Sequence, residues 1–324
     1  MRILVAGGAG YVGSILVPRL LERGYEVHVA DLLWFGNHLP ATVPVRQRDI
    51  LGMTAEDLRG FDQVIFIAGL SNDPMAAYSP AKNFVFNAAG PAFLAYIAKQ
   101  AGVRRFVYGS SCSVYGYTEN QLYDEESPAA STYPYGISKL QGEWAAMQLH
   151  DALFSVVALR QGTVCGYSPR MRLDLVVNTM FRTAVSEGVI RVNNPAIWRP
   201  ILAIQDAANA YIRAVECGEG ISGIFNVASG NFTLGELADL VRAALLDEMG
   251  LSPRLDIKHL TDLRNYKVSI AKAANVLSYK PASDVRAIVR DLVQHRDQFA
   301  DFDNPLYNNI ATFKTIDAGI AASV

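Results

Sequence analysis

The stretch Val5-Ala6-Gly7-Gly8-Ala9-Gly10-Tyr11-Val12-Gly13 limits the folds open to this chain more than any other. An apolar run over 3–6 leads into it, and a helical pattern over 11–23 leaves it. Gly7, Gly10 and Gly13 keep the spacing G-x-x-G-x-x-G, so a strand can turn into a helix within a few residues and bring bare backbone N–H groups close to an anion. The helix N-terminus behind the turn adds a partial positive charge. Asp31 closes the next apolar run, 27–30, eighteen residues after Gly13. A carboxylate there accepts hydrogen bonds from adenosine ribose hydroxyls and repels a 2′-phosphate, and Leu32 and Leu33 follow it with no Arg to receive one. These residues point to NAD rather than NADP. The plainer reading is a packing turn and a capping aspartate.

Further apolar runs over 64–68, 106–108 and 156–159 read as strands, and 86–101 and 135–149 as the helices between them. The runs are apolar throughout rather than alternating, which suits strands covered on both faces. The βαβ alternation predicts an α/β fold, a Rossmann-type doubly wound parallel sheet, over 1–165. Residues 166–324 are expected to form a smaller C-terminal substrate lobe and a tail, with a strand near 200–227 returning to the sheet. Within this half, 193–200 reads as a loop, 224–227 as a strand and 233–246 as a helix, while the tail over 303–324 reads as partly disordered or as an arm. Pro18 should kink or weaken the first helix.

Composition narrows the function. With 51% hydrophobic residues and a formal charge of −2, the chain can bury a large core and lacks the basic footprint of a nucleic-acid binder. No apolar run is long enough to span a membrane, and residues 1–6 show no secretory signal, so a cytoplasmic setting is expected. Cys112, Cys165 and Cys217 lack paired or metal-like spacing, and the five histidines are scattered, so no metal is expected.

Pro134 opens a helix in which Tyr135 and Lys139 stand four apart, on one face. An ammonium beside a phenol favours the phenolate, and the pair could serve as a general base toward a hydroxyl; the same spacing also occurs on ordinary helix surfaces. Upstream, Arg105–Ser111 runs into Cys112-Ser113-Val114-Tyr115-Gly116, which places hydroxyls at the carboxyl end of a strand, where ligands bind in such sheets.

The glycine turn, Asp31, Asp49-Ile50, Ile67-Ala68-Gly69-Leu70, Asn87, Ser110-Ser111-Cys112-Ser113-Val114-Tyr115-Gly116 and Tyr135-x-x-x-Lys139 occur in order. Together they resemble the extended short-chain dehydrogenase/reductase family, the group of NAD-dependent nucleotide-sugar epimerases and dehydratases, over residues 1 to about 300. The resemblance implies that Gly7, Gly10, Tyr11, Val12 and Gly13 hold the cofactor and that Asp49 and Ile50 lie by its adenine. It places Ala68, Gly69 and Leu70 along its trench and has Asn87 support the active-site helix. Ser111 would hydrogen-bond the reacting hydroxyl, Tyr135 would be the base, and Lys139 would hold the nicotinamide ribose and tune Tyr135. On the sugar-nucleotide side it implies Ser71, Ser111, Cys112, Ser113, Asn178, Arg199 and Arg264, the two arginines facing a diphosphate. Read alone, each arginine is equally a surface ion pair. The stretch from Gly166 to Asn178 resembles a branch of nucleoside-diphosphate-sugar enzymes.

Two departures stand out. Ala203-Ile204-Gln205-Asp206 lacks the His that relatives often carry, and Cys112-Ser113 stands where 4,6-dehydratases have an Asp–Glu pair. Without those carboxylates, ordinary 4,6-dehydration is not expected. Cys112 is either a small packed residue or a stand-in acid. The implied activity is 4-epimerisation of a nucleoside-diphosphate sugar through a transient 4-keto sugar, with a 4-dehydrogenase or ketosugar reductase as the alternative. A dehydratase and a catalytically silent NAD-binding sensor rank behind. A homodimer is also implied, pairing the helices over 86–101 and 135–149 across a two-fold, with Ala88, Ala89, Ala92, Ala95 and Ala98 keeping the first narrow.

Overall fold

The computed structural model describes residues 1–259 and 264–322. Its centre is a sheet of seven parallel strands. The first five in the chain are β1 (Arg2–Ala6), β2 (Glu26–Asp31), β3 (Val45–Gln47), β4 (Gln63–Phe66) and β5 (Arg105–Ser111). Across the sheet the order is Gly223–Val227, Ser155–Gln161, β5, β4, β1, β2, β3. The order reverses between β1 and β4, and a crevice opens there at the carboxyl ends of the strands.

The continuous apolar runs follow from burial on both faces. In β1, Ile3 and Val5 enter one buried cluster and Leu4 and Ala6 another, on the opposite face. A third cluster, including Phe181, Ile190, Leu237 and Val289, is a separate core drawn from the second half of the chain. The helix Ile204–Glu216 packs against the main sheet through Ala207, Tyr211 and Val215, and Gly223–Val227 pairs with Ser155–Gln161. The chain thus returns to the first core after starting the second.

Several local expectations change. Helix α1 (Gly13–Glu22) runs through Pro18 without ending, because Leu16, Val17 and Leu20 bury its inner face and compensate for the missing N–H. The stretch over 193–200 is half strand, since Val189–Asn193 pairs with Arg254–Lys258 and a further strand covers Trp198–Ala203. Residues 86–101 begin in a π-turn, Val85–Ala89, before the α-helix Gly90–Gln100. Ala95 and Ala98 are fully buried within the subunit, so their small size serves this chain's own packing. The tail is ordered as a helix, Asn309–Ala322, whose Phe313 is buried beside Leu70 and Met75; Ser323 and Val324 lie outside the described residues.

A buried ion pair locks the strand ends to a helix. Glu143, on the helix Pro134–Met147, accepts hydrogen bonds from Arg160 Nε at 3.0 Å and Nη2 at 2.6 Å, and from Ser110 Oγ at 2.7 Å. Arg160 Nη1 also donates to Tyr115 Oη at 2.8 Å. Removing one partner strands a buried charge. Arg160→Met is expected to lower the unfolding free energy by about 3–5 kcal/mol in urea titration, and adding Glu143→Met should restore much of it.

Candidate active site

A cleft of about 630 Å³ runs along the carboxyl edge of the sheet, within the size range of small-molecule and cofactor sites. At one end lies the glycine turn, where Gly7, Gly10, Tyr11, Val12 and Gly13 all face the cleft. A side chain at Gly10 would meet only the Gly7 carbonyl, 3.2 Å from its Cβ, and would project into the cradle. A Cβ at Gly13 would lie 2.2 Å from the Gly8 carbonyl oxygen, so only glycine lets the helix sit this close to the turn. Ala68, Gly69, Leu70 and Ser71 form the adjacent wall.

Asp31, at the end of β2, braces the cradle. One oxygen accepts the Ala9 N–H at 3.0 Å and the other the Leu33 N–H at 2.8 Å. Burial raises its pKa, and these two donors oppose the rise. Each oxygen retains a second lone pair for a ribose hydroxyl.

Toward the middle, Ser111, Ser113, Tyr135 and Lys139 line the same cleft. Ser111 Oγ donates to Ser113 Oγ and accepts the Ser113 N–H, each at 3.1 Å, and Ser113 Oγ lies 3.3 Å from Tyr266 Oη. The expected effect of Lys139 on the phenol is not found. Burial pushes Tyr135 up, Asp73 adds to the rise, and Ser111 and Arg172 oppose it. The ammonium turns toward β5, donating to the Gly109 carbonyl at 2.8 Å, and burial lowers its pKa to about 8. Sharing a helix face brings two side chains near each other, but the nearest strong acceptor decides where a lysine points.

At the far end, Arg199 and Arg264 line the cleft. Arg199 donates to the Arg264 carbonyl and lies 5.4 Å from the Tyr266 ring centroid, while Arg264 Nη1 donates to Asp73 Oδ2 at 2.7 Å.

Asp31 braces the cradle without lining the cleft, the expected residues Asn178, Cys112, Asp49 and Ile50 lie away from it, and Asn87 sits just behind it. Asn178 is fully buried: its Nδ2 donates to Tyr11 Oη and to the carbonyls of Gly166 and Arg172, and its Oδ1 accepts the Gly166 N–H. Every polar group of Asn178 is engaged, so it braces the loop rather than meeting a diphosphate. Cys112 is buried, with Sγ donating to the Arg160 carbonyl and burial raising its pKa, which makes it a packed residue and not a substrate contact. Asp49 caps a short 3-10 turn, Ile50–Gly52, outside the cleft, and Ile50 packs against the sheet-face cluster of Leu4 and Phe66. Asn87 ties the wall to the helix behind it, donating to the Leu70 carbonyl and to Asn83 Oδ1, each at 2.8 Å.

The structure adds residues that sequence reasoning passed over. Arg170, Arg172, Asp73, Gln161, Tyr266 and Asn309 line the cleft. Arg170 is buried, its guanidinium 3.6 Å from the Phe35 ring centroid, and burial lowers its pKa to about 9. Its Nε has no partner among the described residues, which suits an anionic ligand. Arg172 pairs with Asp174 through Nε at 2.8 Å and Nη2 at 3.2 Å, and donates to Ser71 at 3.1 Å. Asn309, from the tail, accepts from Arg170, donates to Ser71 and gives its backbone N–H to Asp174. The Arg170-x-Arg172-x-Asp174 spacing was the available signal for the first pair; nothing local marked Asn309.

A model of the NAD dependent epimerase/dehydratase family matches residues 3–228. The chain belongs to this family. The UDP-glucose 4-epimerase of Streptomyces lividans is 30% identical over 265 residues, covering 74% of this chain and 80% of that protein. Two solved structures superpose with TM-scores of 0.82. One is the UDP-glucose 4-epimerase of Thermotoga maritima with UDP-glucose, 22% identical over 93% of this chain and all of that one. The other is an NAD-dependent NDP-hexosamine 5,6-dehydratase of tunicamycin biosynthesis, 21% identical over 94% of this chain and 99% of that one. The two structures establish the likeness of fold. NAD is the family's cofactor, and the open cradle at Gly10, the braced Asp31 and the unpaired Arg170 Nε fit it.

The buried lysine yields a stability prediction. Its folded pKa, about 8, lies below the ordinary 10.5, so the unfolded chain binds the proton more tightly. The resulting penalty is full below pH 8 and fades as pH rises toward 10.5. Lys139→Met should therefore raise unfolding free energy by about 1–3 kcal/mol at neutral pH, with the gain shrinking in alkaline buffer. Equal or lower stability of the variant at neutral pH would contradict this account.

Proposed function

We propose that this chain is an NAD-dependent nucleoside-diphosphate-sugar 4-epimerase acting through a transient 4-keto sugar. The observation that carries the reading is one cleft lined together by Ser111, Tyr135 and Lys139, the glycine cradle, and the arginines Arg199 and Arg264. NAD, when bound, supplies the acceptor and then the donor of hydride at sugar C4. Tyr135 takes the C4 hydroxyl proton and later returns it, with Ser111 hydrogen-bonded to the reacting oxygen. Lys139 holds the nicotinamide ribose, and Asp31 accepts the adenosine ribose hydroxyls. Arg199 and Arg264 bind the sugar nucleotide's diphosphate through guanidinium forks.

Net redox, as a 4-dehydrogenase or ketosugar reductase, is the second reading. Epimerisation keeps NAD in place through the cycle, and the tail braces the adjacent wall, with Asn309 donating to Ser71 and Phe313 packed beside Leu70. The curated relative from Streptomyces lividans agrees. Dehydration is disfavoured, since Cys112 is sealed in the core and Ser113 is no acid. A silent sensor is disfavoured by the presence of both Tyr135 and Lys139 in the cleft.

Tyr135→Phe should cut turnover by about 100- to 10,000-fold while leaving bound NAD unchanged. Wild-type turnover should need no added NAD, leave no net NADH, and rise with pH, since the base must lose a proton from a raised pKa. Unchanged turnover in the variant would remove Tyr135 as base, and accumulating NADH would favour the dehydrogenase.

The subunit also presents Tyr96 and Trp144, both about half exposed, on the neighbouring helices Gly90–Gln100 and Pro134–Met147. A homodimer that covers these rings is part of the proposal. Sedimentation equilibrium at micromolar concentration should give twice the chain mass, and a monomer there would refute it.

A further inference from the structure

Of the six buried side-chain atoms without a hydrogen-bond partner among the described residues, four belong to residues that line the cleft: Asp73, Gln161, Arg170 and Tyr211. Folded proteins rarely leave such atoms unpaired, so their gathering at one cavity marks groups that pair with a ligand. Asp73 is the acid in this set. Its Oδ2 accepts from Arg264, while its Oδ1 is buried and unpaired.

The other cleft carboxylate behaves differently. Asp174 has both oxygens on Arg172, and its Oδ2 also takes hydrogen bonds from Asn72 and Asn309. Asp73 opens a helix, Asp73–Tyr78, where an acid is favoured, but that role accounts for its charge and not for the bare oxygen. Its charge reaches the reacting region, raising the pKa of both Tyr135 and Tyr266. A carboxylate in a cleft that must hold phosphates weakens their binding unless it makes a contact of its own.

We propose that Asp73 selects the sugar: Oδ1 accepts a hydrogen bond from a hydroxyl of a neutral hexose, and the carboxylate repels a hexuronate carried on the same nucleoside diphosphate. The inference rests on the sugar-nucleotide reading and narrows its substrate class. Exchange of the carboxylate for its amide keeps the shape and removes the repulsion.

The test is calorimetric titration of the NAD-loaded protein with UDP-glucose and with UDP-glucuronate, alongside conversion of UDP-glucose to UDP-galactose. Wild type should bind UDP-glucose at least about 10-fold more tightly than the uronate, and Asp73→Asn should shrink that ratio at least about 5-fold, mainly by admitting the uronate. Asp73→Ser serves the same comparison if the amide variant does not fold. Equal wild-type binding of the two sugars, or a ratio unmoved by the substitution, overturns the role of Asp73. A preference without conversion keeps that role and removes the epimerase reading, whereas conversion without a preference does the reverse. Binding of neither sugar nucleotide overturns both.

Discussion

The site depends on the register between one helix and one strand, and that register is held by three residues four apart. Tyr135, Lys139 and Glu143 share a face of the helix Pro134–Met147. Glu143 grips Arg160 and Ser110 in the core, and Lys139 grips the Gly109 carbonyl one residue earlier on β5. With these contacts made, Tyr135 lines the same cleft as Ser111, the next residue along the strand. A buried charge pair adds little net stability over apolar packing, but it tolerates few alternative geometries. Here the same helix face carries a buried ion pair at one end and a cleft-lining tyrosine at the other.

The electrostatics of the cleft suit a polyanionic ligand. Arg170, Arg172, Arg199, Arg264 and Lys139 all face it, and burial weakens the proton affinity of Arg170 and Lys139. Holding such charges in a cavity destabilises the folded chain until a counter-charge arrives, a compromise that binding sites commonly carry. The tail helix joins this arrangement through Asn309, which hydrogen-bonds Arg170, Ser71 and Asp174.

Much of this was readable from local pattern. The glycine spacing, the apolar strands and Tyr135-x-x-x-Lys139 are short-range signals, each tied to a backbone geometry that nearby residues dictate. The misreadings had other causes. Asn178 and Cys112 occupy suggestive positions in the chain, yet their side chains are satisfied inside the protein by Gly166, Arg172, Tyr11 and Arg160. Pro18 sits within the first helix, where the pattern over 11–23 placed it, because tertiary burial outweighs one lost hydrogen bond.

The sequence by itself determined the parallel sheet, the cradle, the dinucleotide it suits and the helix face that Tyr135 and Lys139 share, because glycine, β-branched runs and helical spacing act over a few residues. Tertiary structure alone decided where Lys139 points, that Asp73 meets Arg264 from 191 positions away, and that Asn309 of the tail joins the cleft wall. Those outcomes depend on which distant groups share a low-dielectric space, and no local pattern encodes that.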